Sequence, residues 1–149
     1  MMRLILAATI ILVRHAERAG DMGTDPPLTA QGIQRSESLA RLLADAHIQT
    51  IFATNTKRTQ QTAAPIAEKL HLTPVVLPGQ DVPALLDHLR SLKPDDVVLV
   101  VGHSNTVPQI VSGLGGETKP IPDTEFNRLL IFTTNPTGKP NVVTLRYGE

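Results

Sequence analysis

Thr9-Ile10-Ile11-Leu12-Val13, followed at once by Arg14-His15-Ala16-Glu17, is the stretch on which the fold turns. The β-branched run has the look of a parallel strand covered on both faces, since such strands are apolar at every position rather than at alternate ones. It extends an apolar segment from Leu4. About ten residues are too few for a bilayer, which needs about 20. A competing reading makes residues 1–8 the remnant of an export signal, with Ala7-Ala8 near its cleavage site.

Working outward, three further runs read as buried strands: Thr50–Ala53, Pro74–Leu77 and Val97–Val101. Helical periodicity fills the gaps. A first helix is expected over 30–46, capped by Thr29, with Ile33, Leu39, Ala40, Leu42, Leu43 and Ala46 as its apolar stripe. A second is expected over 59–70, kinked or delayed by Pro65. A third covers 82–92 after Asp81, and a short fourth follows Asn105 and ends in Gly113–Gly116. Leu129–Thr133 and Val142–Arg146 close the chain. The Asn135–Pro140 turn between them predicts an antiparallel hairpin. Strands alternating with helices predict a single-domain three-layer α/β/α sandwich over residues 1–149. Its central sheet is mostly parallel, with the hairpin at one edge.

Composition removes several classes of function. The 149 residues carry 14 Lys+Arg against 14 Asp+Glu, and aromatic residues are 3% of the chain. A nucleic-acid binder would show a basic surplus and stacking surfaces. The absence of Cys excludes disulfides, thiolate metal sites and a thiol nucleophile. No segment reaches transmembrane length, so stable membrane association is not expected. The compartment expected is the cytoplasm, or the periplasm or exterior if residues 1–8 are an export remnant.

In parallel sheets, ligands bind beyond the carboxyl ends of the strands. Those ends carry Arg14-His15, Asn55-Thr56-Lys57-Arg58 and Gly102-His103-Ser104-Asn105. Two Arg and two His from three strand ends suit phosphoryl transfer through histidine. Guanidinium groups hold phosphate oxygens in a bidentate fork and stay charged. A neutral imidazole is a competent nucleophile. A second imidazole, if protonated, can donate to the charge developing on the transferring group. Neither a metal ion nor a cofactor is needed. Ser104 and Asn105 are candidates for phosphate contact, with Asn105 otherwise a simple N-cap. Glu17 and Arg18 either orient substrate or form a solvated ion pair. Lys57 adds charge to the pocket mouth or simply faces solvent. His47, His71 and His88 lie away from the strand ends and read as non-catalytic.

These blocks resemble a known family. Arg14-His15-Ala16-Glu17 with Asp25-Pro26-Pro27-Leu28-Thr29-Ala30-Gln31-Gly32 is similar to the opening signature of the histidine phosphatase superfamily. That group includes cofactor-dependent phosphoglycerate mutases and many small phosphatases. Arg58–Ala63 resembles its second arginine segment, and Val101-Gly102-His103-Ser104 its second histidine segment. The resemblance implies that His15 is the nucleophile that becomes phosphohistidine. It implies that Arg14, Arg58 and His103 complete the phosphate pocket, and that water hydrolyses the phosphoenzyme. Many members take a leaving-group acid from the segment after the third strand, where Asp81 is the candidate; capping the third helix is its other reading. Asp123 and Glu125 are more distant candidates. The expected activity is a metal-independent phosphatase acting on a small phosphomonoester or a phosphoprotein, including phosphohistidine in a protein. A mutase-type phosphotransferase and a non-catalytic phosphate-binding module are the alternatives.

Overall fold

The computed structural model describes residues 7–20 and 23–148. The chain runs β1 (Thr9–Arg14), α1 (Ala30–Leu43), β2 (Thr50–Thr54), α2 (Lys57–Leu70), β3 (Val75–Leu77) and α3 (Val82–Arg90). It continues β4 (Val97–Gly102), α4 (Thr106–Gly113), β5 (Arg128–Thr133) and β6 (Asn141–Arg146). Among the described residues the strands form one six-stranded sheet of order β3-β2-β4-β1-β5-β6. The strands β3, β2, β4 and β1 are parallel, β5 runs antiparallel to β1, and β6 closes a hairpin on β5.

The strand period of two divides the core between two layers. Ile11 and Val13 of β1, with Leu99 and Val101 of β4, face α1 and α2 and meet Leu39, Leu43, Ala63 and Ile66 there. Ile10 and Leu12, with Val98 and Val100, face the other way onto Leu85, Leu89, Val107 and Ile110 of α3 and α4. The central strands are buried on both faces, which is why they read as continuous apolar runs. Truncating a fully buried residue such as Leu39 to Ala costs about 2–5 kcal/mol.

The structure departs from the sequence expectations at several edges. Helix α1 stops at Leu43 rather than at residue 46: the Ala46 N–H reaches back only three residues, to the Leu43 carbonyl at 3.1 Å, and the chain then turns through His47 at φ 61°. Its stripe also differs: Ile33 and Leu42 are exposed, while Arg35 and Ser36 are buried in their place. Helix α2 begins earlier than expected, at Lys57, with the Thr56 hydroxyl accepting from the Thr59 N–H, and it continues through Pro65. Its start is therefore not delayed by that proline, which removes one backbone donor. Helix α3 ends at Arg90, two residues early. Strand β3 is not buried: it is a three-residue edge strand whose Val75 and Val76 are exposed. The export-signal reading falls mostly on residues 1–6, outside the described residues. Ala7 and Ala8 are tied into the fold, Ala7 by its carbonyl accepting from the Asp95 N–H at 3.0 Å and Ala8 by its N–H donating to Thr134 Oγ1 at 2.9 Å. Among the described residues no helix is long and apolar enough to cross a membrane.

Candidate active site

The parallel arrangement brings the carboxyl ends of β1, β2 and β4 to one edge. There the chain leaves β1 at Arg14-His15, and the His15 N–H still donates to the Gly102 carbonyl of β4 at 2.8 Å. Beside it β4 delivers His103, whose N–H is capped by Thr106 Oγ1 at 3.0 Å. The two imidazoles stand 5.4 Å apart between ring centroids. Arg14, His15, Arg58 and His103 line one cleft of about 380 Å³ that opens to solvent. The same cleft is lined by Arg18, Ser104, Asn105, Asp123 and Phe126.

The His15 ring is buried, and its one hydrogen bond among the described residues places Nδ1 2.8 Å from the Ala16 carbonyl oxygen. A carbonyl can only accept, so Nδ1 carries the hydrogen and Nε2 keeps a free lone pair. Burial pushes this imidazole down to about 3. The Ala16 carbonyl works the other way, and the charges of Arg14, His103 and Arg58 reinforce the lowering. His15 is therefore neutral at any ordinary pH.

His103 is also held neutral in the protein alone. Burial first, then Arg58 and Arg14, push it down to about 4. The imidazolium that the sequence allowed at this position is thus disfavoured by its surroundings. His103 Nε2 lies 2.9 Å from the Thr54 hydroxyl, which in turn is 2.8 Å from Thr59 Oγ1. The Thr59 hydroxyl has the Thr54 carbonyl as an acceptor at 2.9 Å. The Thr54 hydroxyl carries one hydrogen, so it donates to one of His103 Nε2 and Thr59 Oγ1 and accepts from the other, which ties the His103 tautomer to the orientation of Thr59. The sequence reading missed this threonine chain, although Thr54 ends β2 at the ligand edge.

Arg14 is gripped from behind. One Nη1 donates to the carbonyls of Asp123 at 2.8 Å and Glu125 at 3.0 Å, with Pro122 at 3.3 Å. Its guanidinium lies 4.0 Å over the Phe126 ring, a cation–π contact. Phe126 was also not anticipated from the sequence, because the irregular segment before β5 has no periodicity to read. Arg14 Nε and Arg58 Nε are both buried without a partner among the described residues. Leaving a buried guanidinium N–H unpaired is costly.

The remaining candidates separate. Asp81 does not line the cleft; its Oδ1 accepts the Ala84 N–H at 3.0 Å and caps α3. Asp123 does line it and is exposed. Glu125 is engaged elsewhere: against the opposing effect of burial, hydrogen bonds from Arg128 and Arg146 hold its carboxyl below the usual range. Asn105 makes no side-chain cap, because it already has helical φ and ψ of −88° and −36°; it is exposed in the cleft instead. Glu17 and Arg18 do not pair with each other, since neighbours in an extended chain point to opposite sides. Glu17 binds Arg35 at 2.7 and 3.0 Å, and Arg18 is exposed at the cleft. Lys57 is exposed outside the cleft, with its N–H on Asp25 Oδ1 at 2.9 Å.

Known proteins of similar structure share this architecture. The protein histidine phosphatase SixA, solved with tungstate, superposes with a TM-score of 0.76 at 23% identity, covering 93% of this chain and 96% of that one. A mycobacterial glucosyl-3-phosphoglycerate phosphatase gives 0.72 at 12% identity over 95% and 100%. A phosphoserine phosphatase of Entamoeba histolytica gives 0.69 at 17% over 95% and 97%. At these identities the likeness is one of fold. In sequence, PE-PGRS family protein PE_PGRS11 of Mycobacterium tuberculosis is 35% identical over 103 residues, 62% of this chain but only 18% of that protein. The family model of the histidine phosphatase superfamily (branch 1) matches residues 10–81, the segment that carries Arg14, His15 and Arg58. Over residues 10–81 the chain matches the histidine phosphatase superfamily (branch 1), and its fold is the one seen in SixA.

Proposed function

We propose that this protein is a phosphatase that works through a phosphohistidine on His15. The observation that carries the reading is the His15 tautomer. Nδ1–H is committed to Ala16, so a lone pair on Nε2 is left inside a cleft that also holds two arginines. Arg14 and Arg58 supply guanidinium donors for the non-bridging oxygens of a phosphoryl group. His103 supplies a neutral N–H donor that strengthens as charge builds on those oxygens.

In the first step a bond forms from Nε2 to phosphorus while the bond from phosphorus to the leaving oxygen breaks. The electron pair goes to that oxygen, which takes a proton from an acid or from water. In the second step water attacks phosphorus and the P–N bond returns its electrons to Nε2, giving inorganic phosphate. The substrate class is a small phosphomonoester or a phosphorylated protein side chain. The connection from β3 to α3 is only residues 78–81, which leaves the cleft open and supplies no cap to retain a reaction intermediate. That feature favours hydrolysis over intramolecular phosphate transfer.

Brief exposure to a ³²P-labelled aryl phosphate tests the proposal. The expected product is a labelled protein whose label is lost in acid and kept in base, and His15→Ala removes it. Steady turnover without any such intermediate would refute it.

A further inference from the structure

We propose that Arg35 is a positioning residue for His15, acting through Glu17 and the Ala16 carbonyl. This rests on the reading of His15 as the attacking group. The ring orientation depends on where the Ala16 carbonyl points. That carbonyl and the Glu17 N–H share one rigid peptide plane, so the plane's tilt is set by the residues on either side. On the near side, the Ala16 N–H donates to Thr62 Oγ1 at 2.9 Å. On the far side, the Glu17 carbonyl accepts the Thr29 N–H at 2.9 Å.

The Glu17 side chain adds the third anchor. Arg35 Nε donates to Oε1 at 2.7 Å and Nη2 to Oε2 at 3.0 Å, a bidentate fork. Arg35 is itself fixed, since Nη1 donates to the Tyr147 carbonyl at 2.8 Å, and it is 6% exposed. Helix α1 is close enough to make this fork because its first turn meets Glu17 at Gly32, where a Cβ would collide with the Glu17 carbonyl oxygen. Arg35 lies one turn further on. A buried ion pair rarely stabilises a fold more than an apolar pair of the same shape. What this pair supplies is direction: it holds the residue after the peptide plane that selects the His15 tautomer.

The test replaces both charges with apolar groups of similar bulk, Glu17→Leu with Arg35→Met. The double variant is expected to fold with a thermal midpoint near that of the wild type. Its kcat on an aryl phosphate falls about tenfold or more with KM little changed, the signature of a misplaced reacting group. The ¹⁵N shifts of His15 should lose the pattern of a single Nδ1–H tautomer. Should the double variant not fold, Arg35→Lys keeps the charge without the fork and carries both readouts, with an intermediate loss expected. Wild-type kcat together with an unchanged His15 tautomer would overturn the positioning role. If the wild-type protein itself forms no phosphoenzyme, the phosphatase reading fails instead, and the ¹⁵N pattern still decides whether Arg35 orients the ring.

Discussion

The rings of His15 and His103 meet edge to face, their planes inclined at 66°. Two imidazoles this close, both buried and both near Arg14 and Arg58, resist protonation, and each is pushed below the ordinary 6.5, to about 3 and about 4. Between those values and 6.5 the unfolded chain binds more protons than the folded one. Their contribution to stability is therefore complete above about pH 6.5 and is lost as the pH falls toward 4 and then 3. Each ring accounts for up to about 1.4 kcal/mol per pH unit within its window. Urea unfolding at pH 7, 6 and 5 should show the decline, and His103→Gln should make it shallower. NMR titration should find both rings neutral at pH 5; protonation of either near 6.5 would contradict the burial argument.

Gly32→Ala should be destabilising by about 1–3 kcal/mol, the cost of overpacking. The obstacle is backbone, the Glu17 carbonyl, so no side-chain rotation relieves it. The same shift displaces the chain that follows His15, so activity should fall along with the urea midpoint. A variant as stable as the wild type would mean that α1 moves away freely.

Asp81 and Asp123 should answer differently to substitution. Loss of the α3 cap in Asp81→Ala costs about 1 kcal/mol, whereas Asp81→Asn keeps a good cap and should be nearly silent in stability. If Asp123 protonates the leaving oxygen, Asp123→Asn slows alkyl phosphates far more than aryl phosphates, whose leaving groups need little help. Comparison of kcat for the two substrate types in both variants assigns the acid. A selective loss in Asp81→Asn would return the role to the helix cap.

Phe126→Ala removes the ring face on which the Arg14 guanidinium rests at 4.0 Å. The contact contributes about 0.5–2 kcal/mol, so binding of inorganic phosphate should weaken by roughly 2- to 30-fold. Isothermal titration of phosphate into both proteins measures it. Unchanged affinity would show that the carbonyls of residues 122–125 are enough to hold Arg14.

Much of the layout was open to reading from the chain, for a physical reason. Strands buried on both faces are apolar without interruption, so β1 and β4 stood out, and polar residues directly after them had to lie at the ligand edge. That logic singled out Arg14, His15 and His103, and the turn after β2 added Arg58. What escaped depends on contacts between distant segments. Strand order is tertiary, so nothing local marked β3 as an exposed edge. Arg35 occupies a helix position that composition alone assigns to solvent; its burial follows from Glu17, 18 residues earlier. Phe126 lies in an irregular segment where neither helical nor strand periodicity applies. Asn105 has the residue type of a cap, yet its helical φ and ψ leave its side chain without a capping hydrogen bond.

The carbonyls that clasp Arg14 belong to residues 108 to 111 positions later in the sequence. A ribosome therefore releases the arginine of the first strand long before it makes the loop that seats it. The seat of Arg14 is completed late, when β5 pairs with β1 and brings that loop across the sheet edge. A polypeptide that stops short of this loop keeps Arg14 at the end of its strand but without the three carbonyls that hold its guanidinium.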